Sequence, residues 1–361
     1  MFACMKWIVY CASIRHSAPG EGYLKREGIM RWMTNEQVQR KHQTEERNRM
    51  ATPSGNVRRL GRMGLETPAL SLGGARIGGG YGEVSDQEGI ATVRLALERG
   101  IDYIDTSPLY GESERRIGLA LEGVPRASYK LSTKTGTHPQ RRGDYSWDGT
   151  LWSVKNSLKL LKTDHIELLL VHDPRDEADM EAIFAPKGAL EALEHLKTQG
   201  VIGGIGLGQR NHDWHRRAIL SGRFDAILTY NDYHPIRTTA LTDGLLELAK
   251  QHHVGVLNGS PLAHGLLNGE DPLVVSARMH MRQTEREVGE AQRLYAWCKE
   301  KGISMVAMVL QFCVRQPRID TTLTGAKSPA ELRQNLGAIA EPLPEEVWTE
   351  LEALNLTHDQ S

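Results

Sequence analysis

Four residues of types that can move a proton lie at or just past the ends of short apolar runs: Asp105 and Tyr110 in IDTSPLYG, Lys134 in YKLSTKTG and His172 in IELLLVHDP. A phenol has an unperturbed pKa of about 10, so it serves as a base near neutral pH only beside a cation that favours its phenolate. Lys134 is the candidate cation, Asp105 the carboxylate that would hold its ammonium, and His172 the imidazole that would hydrogen-bond and orient a reacting oxygen. Each has a plainer use on its own: Asp105 as a turn cap, Tyr110 in packing, Lys134 as a solvated strand end, His172 as a satisfied core histidine. Together they form a proton-transfer site that lacks only a hydride partner.

Such a site needs elements that bring four distant positions to one rim. ALSLG at 69–73, YID at 103–105, KLSTK at 130–134, ELLLVH at 167–172, VIGGIGL at 201–207, DAILTY at 225–230, VGVLN at 254–258 and DTTLTG at 320–325 read as strands buried on both faces. Amphipathic segments separate most of them, with helices expected over 113–122, 149–162, 187–199, 212–221, 240–252, 287–301, 304–315 and 329–337. Ser85 and Glu88 form a capping-box pattern for a further helix ending at Gly100. Eight βα units in about 300 residues predict a parallel eight-stranded (β/α)8 TIM barrel, whose active sites lie at the C-terminal strand ends. The loops 136–148 and 263–285 are the long ones on that side. In the first, Trp147, beside Asp144 and Tyr145, is either a platform for the apolar face of a sugar or the anchor of its own loop.

The order Asp105, Tyr110-Gly111, Lys134, His172 resembles the catalytic tetrad of the aldo-keto reductases. RRLGRMGLETPALSLGGA is similar to that family's N-terminal β-hairpin and first strand, SPLAHGLL to its seventh-strand loop, and GAKSPAELRQNL to its cofactor-binding last βα unit. DYSWDGTLWSVKNSL and CKEKGISMVAMVLQFCVRQP resemble the branch that oxidises aldoses at C1, the fucose, galactose and threo-aldose dehydrogenases. The resemblance implies oxidation of an aldose to its lactone, with Tyr110 as base, His172 orienting, and Lys134 with Asp105 tuning. Tyr110, His172 and Trp147 would face the substrate. Carbonyl reduction with NADPH, pyridoxal oxidation and a cofactor-binding regulatory subunit stay open as alternatives.

The resemblance also implies a dinucleotide site. Gly74, Asp105, Gln209, Ser260, Leu262, Gly325, Lys327, Ser328 and Asn335 match family positions along the cofactor, Gln209 at the carboxamide and Asn335 at the adenine. Ser328 opens a helix whose N–H groups attract phosphate, and Lys327 adds charge beside it. Glu331 stands where an NADP-type member usually has an Arg for the 2′-phosphate, so NAD is expected, with NADP possible because of Lys327. Gly259 stands where many members carry a ring-stacking Tyr, and Tyr230 where many carry Gln; Tyr230 is the candidate to supply the ring instead.

A net charge of −1 leaves no basic footprint for nucleic acid, so the expected partner is a small molecule, with the chain a monomer or small homo-oligomer. The glycines of GGARIGGGYGE and GGIGLGQ miss the GxGxxG spacing of a doubly wound dehydrogenase. No metal is expected: His212 and His215, and His252 and His253, fall in helical patterns and read as solvated. Cys298 and Cys313 read as buried free thiols of a reduced, cytoplasmic protein, and Cys4 and Cys11 have no metal-type spacing. MFACMKWIVYCAS is too short and too interrupted for a membrane span. Residues 1–49 read as a disordered extension ahead of a barrel domain over 50–361, with Met50 as an alternative start.

Overall fold

The computed structural model describes residues 22–26, 29–33, 56–80, 82–279 and 283–356. The chain divides into two units, Met1–Thr52 and Pro53–Ser361. In the first, strands β1 (Gly22–Arg26) and β2 (Ile29–Met33) pair antiparallel, Gly22 opposite Met33. Apart from this hairpin, the expected extension over 1–49 lies outside the described residues, as do Cys4 and Cys11.

The second unit begins with an antiparallel hairpin, β3 (Val57–Leu60) and β4 (Leu65–Pro68), and continues into a closed barrel of eight parallel strands. These are β5 (Leu70–Gly73), β6 (Tyr103–Asp105), β7 (Lys130–Thr135), β8 (Ile166–His172), β9 (Ile202–Gly208), β10 (Ala226–Tyr230), β11 (Gly255–Gly259) and β12 (Thr321–Gly325). Strand β12 pairs with β5 and closes the ring. Apart from a single turn at Thr239–Thr242, the α-helices that follow the strands are α1 (Asp86–Glu98), α2 (Ser113–Ala120), α3 (Trp147–Leu161), α4 (Glu177–Phe184), α5 (Ala189–Thr198), α6 (His212–Leu220), α7 (Leu245–Gln251), α8 (Pro272–Arg278), α9 (Glu285–Lys301), α10 (Met305–Arg315), α11 (Pro329–Ala340) and α12 (Glu346–Ala353). The barrel and its N-terminal hairpin are those expected. Helix α1 carries the predicted capping box, in which the Ser85 side chain accepts from the N–H of Glu88 while the Glu88 carboxylate accepts from the N–H of Ser85.

Strand periodicity explains which side chains reach the site. Leu168 and Leu170 of β8, Ala226 and Leu228 of β10, Leu257 of β11 and Leu323 of β12 pack with Leu60 of the hairpin into one cluster inside the barrel. The residues between them, such as Leu169 and Val171, or Ile227 and Val256, pack outward against helices. Alternate residues of a strand face opposite sides, so the position two beyond an interior leucine faces inward again. On β8 that position is His172, and on β10 it is Tyr230. Lys134 follows Ser132 in the same way on β7. Leu60 plugs the N-terminal end of the barrel, and polar side chains are left to the other.

Cys298 and Cys313 are buried free thiols, as expected. Among the described residues no helix is long and apolar enough to cross a membrane. The histidine reading needs correcting. His252 and His253 are exposed, but His215 is fully buried with its Nε2 on the carbonyl of Gln209 at 2.8 Å, and His212 lies between the carboxylates of Asp232 and Asp243. These are structural histidines rather than solvated ones, because β10 and its following loop carry Asp232 and Asp243 to the start of α6.

Candidate active site

Asp105 ends β6, and its register partner on β7 is Ser132. Ser132 and Lys134 lie two apart on the interior face, so both reach the carboxylate: Ser132 Oγ donates to Oδ1 at 2.8 Å, and Lys134 Nζ donates to Oδ1 at 2.8 Å and Oδ2 at 2.7 Å. The third ammonium proton goes to the carbonyl of Thr106 at 2.6 Å. The Lys134 and Asp105 side chains are 0% and 4% exposed, so the charge sits in a low-dielectric setting with its donors used up. Lys134 Nζ lies 5.0 Å from the centre of the Tyr110 ring, which carries the phenol over the cation.

Tyr110 sits in the turn between β6 and α2, its N–H bonded to the carbonyl of Ser107 at 3.0 Å. The loop after β5 presses on its backbone: a Cβ on Gly78 would come within 1.5 Å of the Tyr110 carbonyl oxygen, so only glycine fits there. The Tyr110 and His172 rings stand perpendicular with centres 5.9 Å apart. His172 is clamped from several sides. Its Nδ1 meets Thr137 Oγ1 at 2.7 Å and Ser107 Oγ at 3.2 Å, while Tyr145 Oη donates to its carbonyl at 2.8 Å. Burial, with the charges of Lys134 and Arg142, holds its pKa well below the usual histidine value. A neutral ring protonated on Nε2, accepting at Nδ1 from the nearer hydroxyl of Thr137 with Ser107 alongside, fits these partners and points a donor into the mouth.

The four expected residues are therefore brought together at one rim. Trp147 is placed differently from Tyr145. It opens α3, its ring lies 5.2 Å from that of His195 on α5, and its N–H bonds the carbonyl of Lys187 at 2.8 Å. From that loop it is Tyr145 that touches the tetrad. The sequence pointed to Tyr145 only as a neighbour of Trp147 and passed over Ser107 and Thr137, whose hydroxyls fix His172; the signal for the latter two was the density of hydroxyl residues in IDTSPLYG and STKTGT.

The expected dinucleotide positions line the same end of the barrel. The N–H of Gly74 bonds the carbonyl of Asp105 at 2.7 Å. Gln209 is already engaged, donating from Nε2 to the carbonyl of Pro174 at 2.7 Å and accepting at Oε1 from the N–H groups of Arg210 and Asn211. Tyr230 and Gly259 are register partners on β10 and β11, and a Cβ on Gly259 would stand 2.9 Å from that of Tyr230. The missing side chain on one strand thus makes room for the ring on the next. Ser260 has φ +52°, its hydroxyl 3.5 Å from Nδ1 of His264, and Leu262 packs on the apolar cluster beneath.

Ser328 caps α11, its Oγ accepting from the N–H of Glu331 at 3.3 Å. Asn335 donates to Thr324 Oγ1 at 3.0 Å and to the carbonyl of Gly325 at 3.2 Å, tying α11 to the end of β12. Glu331 accepts from the N–H of Lys327 at 3.0 Å and pairs with Arg76 at 3.0 Å. Arg76, which the sequence reading missed, comes from the loop after β5 and lies over Gly325, where a Cβ would meet its Cδ at 3.0 Å. Its Nε is buried with no hydrogen-bond partner among the described residues. Arg76, Lys327 and the N-terminus of α11 make a donor set suited to an anionic dinucleotide.

The chain matches the Aldo/keto reductase family over residues 69–356. It is 31% identical over 309 residues to an L-galactose dehydrogenase of Arabidopsis thaliana, covering 82% of this chain and 93% of the relative. It is 30% identical over 314 residues to a D-threo-aldose 1-dehydrogenase of a Pseudomonas species, covering 80% and 94%. A solved structure of a putative aldo-keto reductase from Pseudomonas aeruginosa superposes with a TM-score of 0.60 at 27% identity, covering 80% of this chain and 96% of that one. The barrel, the strand-end tetrad and these similarities agree: the chain belongs to the aldo/keto reductase family of oxidoreductases.

Proposed function

We propose that this protein oxidises an aldose at C1 to the lactone, with Tyr110 as the base and NAD as the preferred cofactor. The observation that carries the reading is the buried Lys134 ammonium, paired with Asp105 and 5.0 Å from the centre of the Tyr110 ring. A cation so placed favours the phenolate and brings Tyr110 towards the range in which it accepts a proton from an anomeric hydroxyl. Asp105 and Ser132 hold the ammonium in that position. His172, neutral and clamped by Thr137 and Ser107, donates from Nε2 to the reacting oxygen and sets its direction.

A bound nicotinamide dinucleotide supplies the hydride acceptor. Its phosphates would suit Arg76, Lys327 and the N-terminus of α11, where the Nε of Arg76 has no acceptor among the described residues. On the family resemblance, Gly74 and Gly325 would let the dinucleotide approach the backbone closely, Gln209 and Tyr230 would hold the ring, Ser260 and Leu262 the phosphates, and Asn335 the base. Glu331 places a carboxylate where a 2′-phosphate would be repelled and a ribose hydroxyl accepted, which favours NAD over NADP. The buried free thiols Cys298 and Cys313 support a reducing, cytoplasmic setting. That the relatives named above are L-galactose and D-threo-aldose dehydrogenases supports a sugar substrate.

The test is a panel of aldoses offered with NAD and with NADP while reduced nicotinamide is followed by absorbance. Oxidation of at least one aldose, faster with NAD, is expected. Absence of reduced nicotinamide from every aldose with both dinucleotides would overturn the reading.

A further inference from the structure

Asp173 follows His172 at the mouth of the barrel, and the tetrad makes no use of it. Its backbone has φ +43°, a region that aspartate and asparagine enter more readily than most L residues, and its N–H is tied to the carbonyl of Gly208 at 2.9 Å. This backbone turns the carboxylate back over the site. Oδ2 stands 3.4 Å from Nε2 of His172, the nitrogen that faces the reacting oxygen, and Oδ1 accepts from Tyr230 Oη at 3.2 Å.

Among the described residues no Lys or Arg forms an ion pair with this carboxylate, and its side chain is 32% exposed beside a His172 that is 5% exposed. Burial raises its pKa even though the Tyr230 hydroxyl, Lys134 and Arg142 pull the other way. Tyr230 occupies one carboxylate oxygen, and the lone pairs of the other, partly exposed at the lip of the site, are open to a donor from solvent or from a bound ligand.

We propose that Asp173 recognises substrate, accepting a hydrogen bond from a hydroxyl on the carbon next to the reacting one, so that the site selects hydroxylated over deoxygenated substrates. The inference rests on Tyr110 and His172 marking where the reacting oxygen sits. An oxygen about 3 Å from His172 Nε2 lies beside Asp173, and the next hydroxyl along the substrate lies within hydrogen-bond reach of the carboxylate. A carboxylate only accepts, so an ether, a carbonyl or a methylene at that position cannot satisfy it. Tyr230, bonded to the other oxygen, fixes the direction in which Asp173 accepts. A substrate lacking the hydroxyl displaces water from Asp173 and returns nothing, and a site built to bond a hydroxyl discriminates strongly against such an analogue.

The smallest probes are lactaldehyde and propanal, which have the same carbon count and differ by the one hydroxyl, reduced by the full chain with NADH or NADPH. The wild type should favour lactaldehyde at least tenfold in kcat/KM. Asp173→Gly, which keeps the positive φ free of strain, should reduce that ratio to within about twofold of unity. Asp173→Asn, which keeps the shape and one acceptor but loses the charge, should fall between. A wild type with no preference for lactaldehyde, or with no turnover of it, would overturn the proposal, as would an unchanged ratio in Asp173→Gly. An equal loss for both aldehydes would also overturn it, since Asp173 would then act through His172. A protein that passes this test yet oxidises no aldose would keep the hydroxyl selection and lose the aldose reading.

Discussion

Two ion pairs stand at the same end of the barrel and behave as opposites. Lys134 and Asp105 are 0% and 4% exposed, and the ammonium donates to three oxygens. Arg76 and Glu331 are 33% and 28% exposed, and the guanidinium keeps a buried nitrogen without a partner among the described residues. A buried pair cannot lose one member without stranding the other charge, so it is a fixed part of the machinery. A half-exposed pair contributes about 0–1 kcal/mol and exchanges partners at little cost. The first suits a permanent electrostatic tuner of Tyr110; the second suits a place where an anionic ligand comes and goes.

Breaking the first pair should have the larger effect. Lys134→Met leaves Asp105 buried with Ser132 and no cation, so unfolding free energy should fall by about 3–5 kcal/mol in urea titration. Turnover should fall by about 10²–10⁴-fold, and the residual rate should rise towards higher pH because Tyr110 then titrates nearer its unperturbed value. An unshifted pH–rate profile with substantial activity would separate Lys134 from Tyr110.

Altering the second pair should change preference more than stability. Glu331→Arg removes the carboxylate, releases Arg76 and adds a bidentate-capable group beside Lys327. A charge-assisted hydrogen bond of about 1–3 kcal/mol corresponds to a shift of about ten- to a hundredfold towards NADP in the ratio of kcat/KM values. The change in unfolding free energy should stay within about 1 kcal/mol. A wild type that already prefers NADP, or a ratio that does not move, would remove Glu331 from the cofactor site.

The histidines extend the contrast with smaller effects. Against the burial penalty, the hydrogen bonds and charges of Asp232 and Asp243 raise the pKa of His212. Burial lowers that of His215 to about 4 and that of His234 to about 3. A raised pKa contributes stability that is present below the unfolded value of 6.5 and lost as pH rises through the folded value. His212→Gln should therefore cost about 1–2 kcal/mol at pH 6 and less at pH 9. The depressed groups work the other way: with His172, they make unfolding free energy fall as pH drops from about 6.5 towards 4. A flat profile across that window would mean these rings are charged in the fold.

The barrel was legible because short apolar strands of three to seven residues, set apart by amphipathic segments, recur eight times along the sequence. The chemical residues of strands β6, β7 and β8 stood at the ends of those runs. Helices α4, α8 and α12 were missed, being short and opening in polar loop sequence; α4 is held by little more than Met180 and Ile183. Arg76 was invisible because its partner Glu331 is 255 positions away, brought near only when β12 closes on β5. Asp173 sat beside the tetrad in plain view, yet its role depends on a positive φ that one sequence does not reveal. His212 and His215 were misread because helical periodicity says nothing of what the neighbouring strand places opposite them.

Tyr110 is proposed to transfer the proton and to do nothing essential for the dinucleotide. Steady-state turnover of the best aldose and calorimetric binding of NAD, measured on wild type and Tyr110→Phe, test it together. Turnover should fall at least about a hundredfold, the range of a removed general base, with the dissociation constant for NAD within about twofold. Turnover retained in Tyr110→Phe would contradict it.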